Sequence, residues 1–305
     1  MVTLRLVLVG ACLLPCLACS GAAPAPATAE AQAAPETFTF APALDRPFHY
    51  TQRRFEEVSV PGSPMRNSED WLINWEVVTK QESNHFRRTL RLVGLKISVN
   101  GLDLLQGHEV KQSFAAIDVL TDKDANVVDI RGTDQLSEAL VALASPEGRP
   151  GVARLFSPEN LKALVLTRSR ELNSDFVGRP TKVGSQWMAN TPGASGTRQI
   201  RVVAEEPCGS DRCLRVVREY DVDRAAIQAN VSAQVAAYVE SRGADPSQVK
   251  VVGMDLKHED SLLINPSTME YHDAKFDEAA TIHVSTPEGE LAVAFKLQRS
   301  SSYEY

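Results

Sequence analysis

The chain has 305 residues, 43% hydrophobic and 23% charged, which excludes a disordered, collagen-like or multi-spanning membrane protein and leaves a packed core as the expectation. With 39 acidic against 32 basic side chains the formal charge is −7, so nonspecific binding to nucleic acid or to anionic lipid is not expected. The length suits one large domain or two small ones.

At the amino end Arg5 precedes an apolar run over residues 6–10 that continues through Leu13 and Leu14 to Cys16-Leu17-Ala18-Cys19. The run is too short to span a bilayer and reads as a secretion signal over residues 1–18. This stretch resembles a bacterial lipoprotein precursor, in which a small residue precedes a cysteine that is lipidated on its thiol and becomes the new N-terminus. Ala18 and Cys19 fit that motif, and Cys16 stands where the family usually has Leu. The resemblance implies a lipid (palmitate) on Cys19 and a membrane anchor. Because Ser20 rather than Asp follows the cysteine, it also implies the cell outer membrane, with the domain facing the periplasm or the surface. The alternative is a soluble periplasmic or secreted protein cut at an Ala-x-Ala site such as Ala23-Pro24-Ala25.

Residues 20–35 contain eight Ala and three Pro among sixteen positions and no large apolar side chain. Such a segment cannot offset its ordering entropy by burial, so residues 19–44 are expected to be a tether, roughly 25–30 Å long as a coil, with a β-rich domain over residues 45–305.

From residue 46 the chain reads as strand after strand. Residues 69–80 place Trp71, Ile73, Trp75 and Val77 on one face, with Asn74, Glu76 and Lys80 on the other. Residues 87–99 continue less cleanly because Gly94 and Lys96 interrupt Val93, Leu95, Ile97 and Val99. Residues 110–120 and 127–130 follow, joined across Thr121-Asp122-Lys123-Asp124-Ala125-Asn126, which has turn composition. Thr133 is the candidate N-cap of a helix with Leu136, Leu140 and Leu143 at helical spacing. A loop with two Pro and two Gly over residues 145–151 leads to a second helix, capped by Ser157 with Pro158 at its first position and striped by Leu161, Leu164, Val165 and Leu172.

The second half resumes as sheet over residues 183–188, 198–204 and 214–220, with Leu214, Val216 and Tyr220 on one face. A third helix over residues 223–242 carries Ile227, Val231, Val235 and Val239 at four-residue steps, ending at Gly243. Strands over 249–264 and 269–276 flank the turn Asn265-Pro266-Ser267-Thr268, and two last strands, 279–285 and 291–298, join through Pro287-Glu288-Gly289-Glu290. The fold class is therefore α+β, a large curved antiparallel sheet of about ten strands, open and half-barrel-like, with three amphipathic helices. Two halves, 45–178 and 179–305, each mix strands and helix without a residue-level repeat. The midpoint segment Pro180-x-x-Val183-Gly184-x-x-Trp187 resembles one in uncharacterised secreted or lipid-anchored bacterial proteins, a likeness that implies no activity. The order of elements is similar to the half-barrel fold of bacterial lipoprotein and lipid carriers, as topology only.

Cys208 and Cys213 flank Gly209-Ser210-Asp211-Arg212 between two alternating runs, which points to a disulfide across a hairpin. Placing the two cysteines opposite each other sets Ala204 against Val217 and Val202 against Glu219. A redox pair fits poorly because the spacing is not C-x-x-C, and half a zinc site fits poorly because the sequence offers no second Cys/His pair.

No phosphate-cradling loop, zinc-protease motif or nucleophile elbow occurs. Residues 122–126 open like a calcium loop, but Val127 and Thr133 stand where Gly and Glu are needed, so a polar hairpin tip is expected. Around the turn at 265–268, pairing Ile264 with Met269 sets Asp260 against Asp273, His258 against Lys275, and Ser261 against His272 beside Glu259. That arrangement allows a metal site of His258, Asp260 and Asp273 or a Ser261, His272, Glu259 relay, and a one-residue slip destroys both. Trp71, Trp75 and Trp187 are core residues or stacking platforms for a ligand, with Trp71 and Trp75 the pair that shares a face. The stripe Ile227, Val231, Val235, Val239 packs on the sheet or lids an apolar cavity.

The expected function is that of a lipid-anchored, non-enzymatic envelope protein without cofactor or metal, whose exposed apolar sheet face binds an apolar small molecule or an envelope protein. The alternatives are a structural or assembly scaffold and a metal-dependent hydrolase built on the polar hairpin.

Overall fold

Alternating burial turns the long strands of this chain into two-sided ribbons, and the strands join in one antiparallel sheet of twelve. The computed structural model describes residues 36–60, 66–105, 115–190, 196–209, 211–222, 224–241 and 245–304. The signal, Cys19, the tether through residue 35, the start of the strand expected over 110–120, and Gly243 lie outside them.

In chain order the elements are β1 (Phe48–Ser59), β2 (Arg66–Glu82), β3 (His85–Val99), β4 (Leu102–Asp103), β5 (Ala116–Thr121), β6 (Val127–Arg131), α1 (Thr133–Leu143), α2 (Arg149–Leu155), α3 (Pro158–Phe176), β7 (Gln186–Asn190), β8 (Gly196–Cys208), β9 (Asp211–Val222), α4 (Arg224–Ser241), a single 3-10 turn (Pro246–Gln248), β10 (Lys250–Ile264), β11 (Tyr271–Thr286) and β12 (Gly289–Glu304). The strand order is β6-β5-β3-β2-β1-β12-β11-β10-β9-β8-β7, with β4 on β3. Neighbours in sequence mostly pair with each other, apart from β5, which pairs with β3 past the short β4, and the centre, where β1 pairs with β12 and brings the two ends of the domain together. The edge strands β6 and β7 do not pair, so the sheet is open.

Helix α3 lies between the two edges. Ser169 Oγ donates to the Ala125 carbonyl and Asn173 Nδ2 to the Asp124 carbonyl at the β5–β6 turn. At its other side Trp187 Nε1 of β7 donates to the Asp175 carbonyl at 2.7 Å. The helix thus fills the gap that strand pairing leaves. One end of the curved sheet is crossed by the chain just before β1. Phe38 N donates to Arg179 O and Thr39 N to Pro266 O, and Phe38 and Phe40 are buried against Phe176 and Phe86. Both phenylalanines precede residue 45, the expected start of the domain, and both belong to its core.

The inner face of the sheet packs two clusters. The larger joins β1–β3, β5 and β7–β12 to α1, α2 and α3 through Leu136, Leu140, Val152, Phe156, Leu161 and Val165. The smaller gathers Val58, Ile282, Val284 and Val293 with Val231 of α4 and Met254, and Val235 and Val239 are buried too, so these three residues of the α4 stripe pack inward, while the Ile227 side chain lies outside the described residues. The outer face is laced with exposed ion pairs such as Arg53–Asp70 and Arg91–Glu76, each of small energetic weight.

Several details differ from the sequence expectation. The expected 145–151 loop is half helix, because Pro150 sits in the first turn of α2, where a missing N–H costs nothing. The strands expected at 269–276 and 279–285 are one strand, β11, because Asp277 and Glu278 continue the alternation as outward and inward residues. Thr133 is the first residue of α1 rather than its cap. Gly132 caps it at φ 86°, and the Cβ of any other residue there would meet the Ala116 carbonyl oxygen at 2.0 Å. Ser157 does cap α3, accepting from Asn160 N at 3.2 Å. In β3 a bulge at Val93 shifts the inward positions from Leu90 and Leu92 to Leu95 and Ile97, which is why the alternation looked broken there.

Candidate functional site

The inward positions of β1 run Phe48, Tyr50, Gln52, Arg54, Glu56, Val58, all buried, so a polar stretch faces the core in phase with apolar residues. Its partners extend the pattern across the sheet. One row at right angles to the strands reads Trp187, Ile200, Arg218, Asp260, Phe276, Arg299, Arg54, Trp71, Ile97. The adjoining row contains Arg198 and Tyr220 as a pair, His258, Glu278 and Leu297 in series, and Glu56 beside Glu69. Two neighbouring rows therefore hold a belt of inward charge between the two apolar clusters.

Buried charges persist only when paired and hydrogen-bonded, and this belt follows the rule. Near β7 the fully buried Asp175 of α3 accepts from Arg198 at 2.6 and 3.1 Å and from Arg218 at 3.2 Å. Arg218 also donates to Asp260 at 2.9 Å, and the same Asp260 oxygen accepts from Tyr220 OH at 2.8 Å. The His258 ring stands edge-on to Tyr220 at 4.2 Å and to Phe276 at 4.6 Å, with Nδ1 3.7 Å from Glu278. Strands β9 and β10 pair only as far as Arg218 and Asp260, so Tyr220 and His258 stand where the sheet splays toward α4.

At the other end of the belt Arg54 pairs with Glu56 at 2.5 Å and lies over the Trp71 ring at 5.1 Å. Arg54 is buried, and its Nε–H has no hydrogen-bond partner among the described residues. Burial, and after it the charge of Glu56, raises Glu69 above the ordinary carboxyl range, against the opposing pull of Arg54, the Trp71 N–H and Arg154. Immediately below lies an apolar cavity of about 50 Å³, walled by Trp71, Ile73 and Trp75 of β2 and by Leu136, Leu140, Phe156 and Leu161 of the helices, with Gln52 and Arg54 at its polar edge. Trp71 is buried and stacks on Phe156 at 5.5 Å, whereas Trp75 is partly exposed. Both tryptophans line the cavity, and Trp71 is core as well.

The polar hairpin does not bring together either set of residues expected of it. Its true turn is longer than the one expected: Asn265 N donates to Glu270 O at 2.8 Å, and the Asn265 side chain accepts from Ser267 N at 2.9 Å and Thr268 N at 3.3 Å. With His272 as a bulge, Ile264 pairs with Tyr271, Asp260 with Phe276, Ser261 with Lys275 and His258 with Glu278. Asp273 instead binds Arg215 at 3.0 Å on the outer face. The His258, Asp260, Asp273 metal set and the Ser261, His272, Glu259 relay therefore do not form. The calcium-like segment is a hairpin tip in which Asp122 accepts from Asp124 N and Asn126 N.

Cys208 and Cys213 are joined by a disulfide. Their backbone register is not the directly opposed one: Cys208 pairs with Asp211 and Cys213 with Glu206, and a bulge at Val203 leaves Ala204 opposite Arg215 and Val202 opposite Val216. The tight turn, with Gly209 at φ 68°, sets this register and the disulfide spans it diagonally. His272, with its pKa lowered to about 4 by burial against the opposing charge of Asp211, lies beside the bridge.

The belt was missed in the sequence, yet it left a signal. Arg218 falls in phase with Leu214, Val216 and Tyr220, and Arg198 with Ile200 and Val202. A charged residue that keeps the apolar phase of its strand is an inward charge. Among the described residues no helix is long and apolar enough to cross a membrane.

No protein-family model matches the chain, and no curated protein is similar to it in sequence. Among solved structures it is similar to DynF from the dynemicin biosynthesis pathway of Micromonospora chersina, with 9% identity, TM-score 0.18 and 90% of each chain covered. It is also similar to a DUF1329 family protein from Desulfovibrio piger, with 8% identity, TM-score 0.15, and 86% of this chain and 87% of that one covered. At TM-scores this low neither likeness carries an argument about fold or function.

Proposed function

We propose that the chain is a lipid-anchored, non-enzymatic binding module of the outer membrane, held by lipidated Cys19 and an Ala/Pro-rich tether, whose sheet interior takes a small amphipathic ligand. The observation that carries this reading is the apolar cavity under Trp71 and Trp75, edged by the buried Arg54 whose Nε–H has no partner among the described residues. A buried donor without an acceptor is costly, and a ligand that supplies one recovers that cost. Glu56 and Glu69 stand beside Arg54, so a further anion is unwelcome and a neutral acceptor suits the position. The ligand chemistry is then an apolar group next to a carbonyl, as in an acyl ester. At about 50 Å³ the cavity admits a chain end or one small ring, and a full acyl chain enters only if α1–α3 lift from the sheet.

The test is titration of the purified chain with a short-chain monoacylglycerol, followed by tryptophan fluorescence. Saturable quenching is expected, weakened by Arg54→Met and abolished by Leu161→Trp, which fills the cavity. No response in a folded wild-type chain rejects the ligand reading. Incorporation of labelled palmitate, lost in Cys19→Ser, tests the anchor separately.

The smallness of the cavity against the roughly 300–1,000 Å³ of ordinary ligand sites favours a second reading, an assembly scaffold for other envelope proteins whose interior is simply filled. In-cell crosslinking from the outer face that captures a defined partner, together with no ligand uptake, would select it.

A further inference from the structure

The corner of the outer face at β8, β9 and β11 holds a group of side chains whose chemistry the binding reading does not use. Cys208, Cys213 and His272 each offer one ligand atom, and these atoms all lie within 4.8 Å of one another. Leu263 packs on the two cysteines, and Asp211, held by Asn265 at 3.2 Å, stands close enough to His272 to act on it electrostatically. His272 is the bulge residue of β11, and a bulge re-aims the side chain it carries. Two sulfurs on the paired strands β8 and β9 and an imidazole from β11, one strand beyond β10, form most of a tetrahedral zinc shell.

We propose that reduction of the Cys208–Cys213 disulfide turns this corner into a binding site for a soft divalent cation, zinc above all. In the oxidised chain the sulfurs are uncharged and bonded to each other, and they do not ligate. An envelope dithiol exchanges with the bridge, so that the donor is oxidised to its own disulfide and Cys208 and Cys213 become thiols. Zinc then binds both sulfurs as thiolates, releasing two protons to solvent, with His272 as the third ligand and Asp211 or a water as the fourth. Zn–S and Zn–N bonds of about 2.3 and 2.0 Å place tetrahedral ligand atoms roughly 3.5–3.8 Å apart, so opening the S–S bond brings the group near that spacing with small shifts. The bridge across the hairpin is exchanged for a metal clip across the hairpin and β11. The sequence hid this because His272 lies far along the chain from the cysteines, and only the pairing of β9 with β10 and of β10 with β11 brings it there.

The experiment uses the full chain carrying Cys12→Ser, Cys16→Ser and Cys19→Ser, so that only the bridge cysteines remain, reduced with a phosphine and freed of reductant under argon. Cobalt(II) is the probe. The reduced chain is expected to take up one cobalt with the strong visible bands of a tetrahedral centre and a thiolate charge-transfer band, both removed by zinc, and the oxidised chain to show neither. His272→Ala, with its fold checked by circular dichroism, should weaken binding by at least about tenfold and reduce the visible bands, and Cys213→Ser, which leaves one sulfur, should weaken binding and reduce the thiolate charge-transfer band. A reduced, folded chain without tetrahedral cobalt, a His272→Ala chain that binds as wild type, or one metal shared by two chains overturns the proposal.

Discussion

Replacing Asp175 by Ala tests whether the buried ion cluster clamps α3 between the edges of the sheet. Asp175 is fully buried and accepts from Arg198 at 2.6 and 3.1 Å and from Arg218 at 3.2 Å, while its backbone carbonyl takes the Trp187 N–H. Arg218 keeps Asp260 in the variant, so the main loss falls on Arg198, itself fully buried. Removing one partner of a buried pair costs about 3–5 kcal/mol, because the other charge stays desolvated. The carboxylate sits in the last turn of α3, where the helix dipole opposes it by about 0.3–1 kcal/mol, and the variant recovers that part. The expected net loss is about 3 kcal/mol, or roughly 6–12 °C in Tm for a domain of this size. Urea denaturation of the wild type, Asp175→Ala, Arg198→Met and the double variant measures it. The double variant should lie within about 1–2 kcal/mol of wild type, since both charges leave together. A single-variant loss under about 1 kcal/mol, or the same loss in the Arg198→Met background, refutes the clamp.

Gly132→Ala should destabilise by more than about 2 kcal/mol in urea, since a left-handed alanine costs about 1–2 kcal/mol before its Cβ meets the Ala116 carbonyl; a neutral result would mean that α1 starts elsewhere. Replacing Cys208 and Cys213 together by Ser should cost about 2 kcal/mol, the chain-entropy value for so short a loop, with an unchanged circular dichroism spectrum because the turn sets the register; loss of strand signal would contradict this. The folded state raises the Glu69 pKa, so it holds that proton more tightly than the unfolded chain. The resulting stabilisation is present below the ordinary carboxyl value and disappears as pH rises through the folded one. Glu69→Gln should therefore be more stable than wild type at neutral pH, with the gap closing in acid. A gap that does not change with pH would remove the burial explanation.

Local chemistry settled much of this protein in advance. Period-two alternation marked the strands, four-residue apolar spacing marked α1, α3 and α4, and Ser157-Pro158 marked the start of α3. The spacing of Cys208 and Cys213 foretold their bridge. These signals are legible because a strand or helix face is a property of residues a few positions apart.

Register, strand order and inward charge needed the tertiary structure. The bulges at Val93, Val203 and His272 each displace a ladder by one residue, and the one at His272, with the longer turn at Asn265, separates the polar residues that seemed to converge. The pairing of β1 with β12 joins segments from opposite ends of the domain, which no local pattern encodes. β1 itself was hard to delimit because Gln52, Arg54 and Glu56 occupy inward positions that a pattern search expects to be apolar. Arg54 gains the Trp71 ring only when β2 pairs with β1, and the inward Arg218 of β9 gains Asp260 and Asp175 only when β10 and α3 arrive, meetings that exist only in the folded chain.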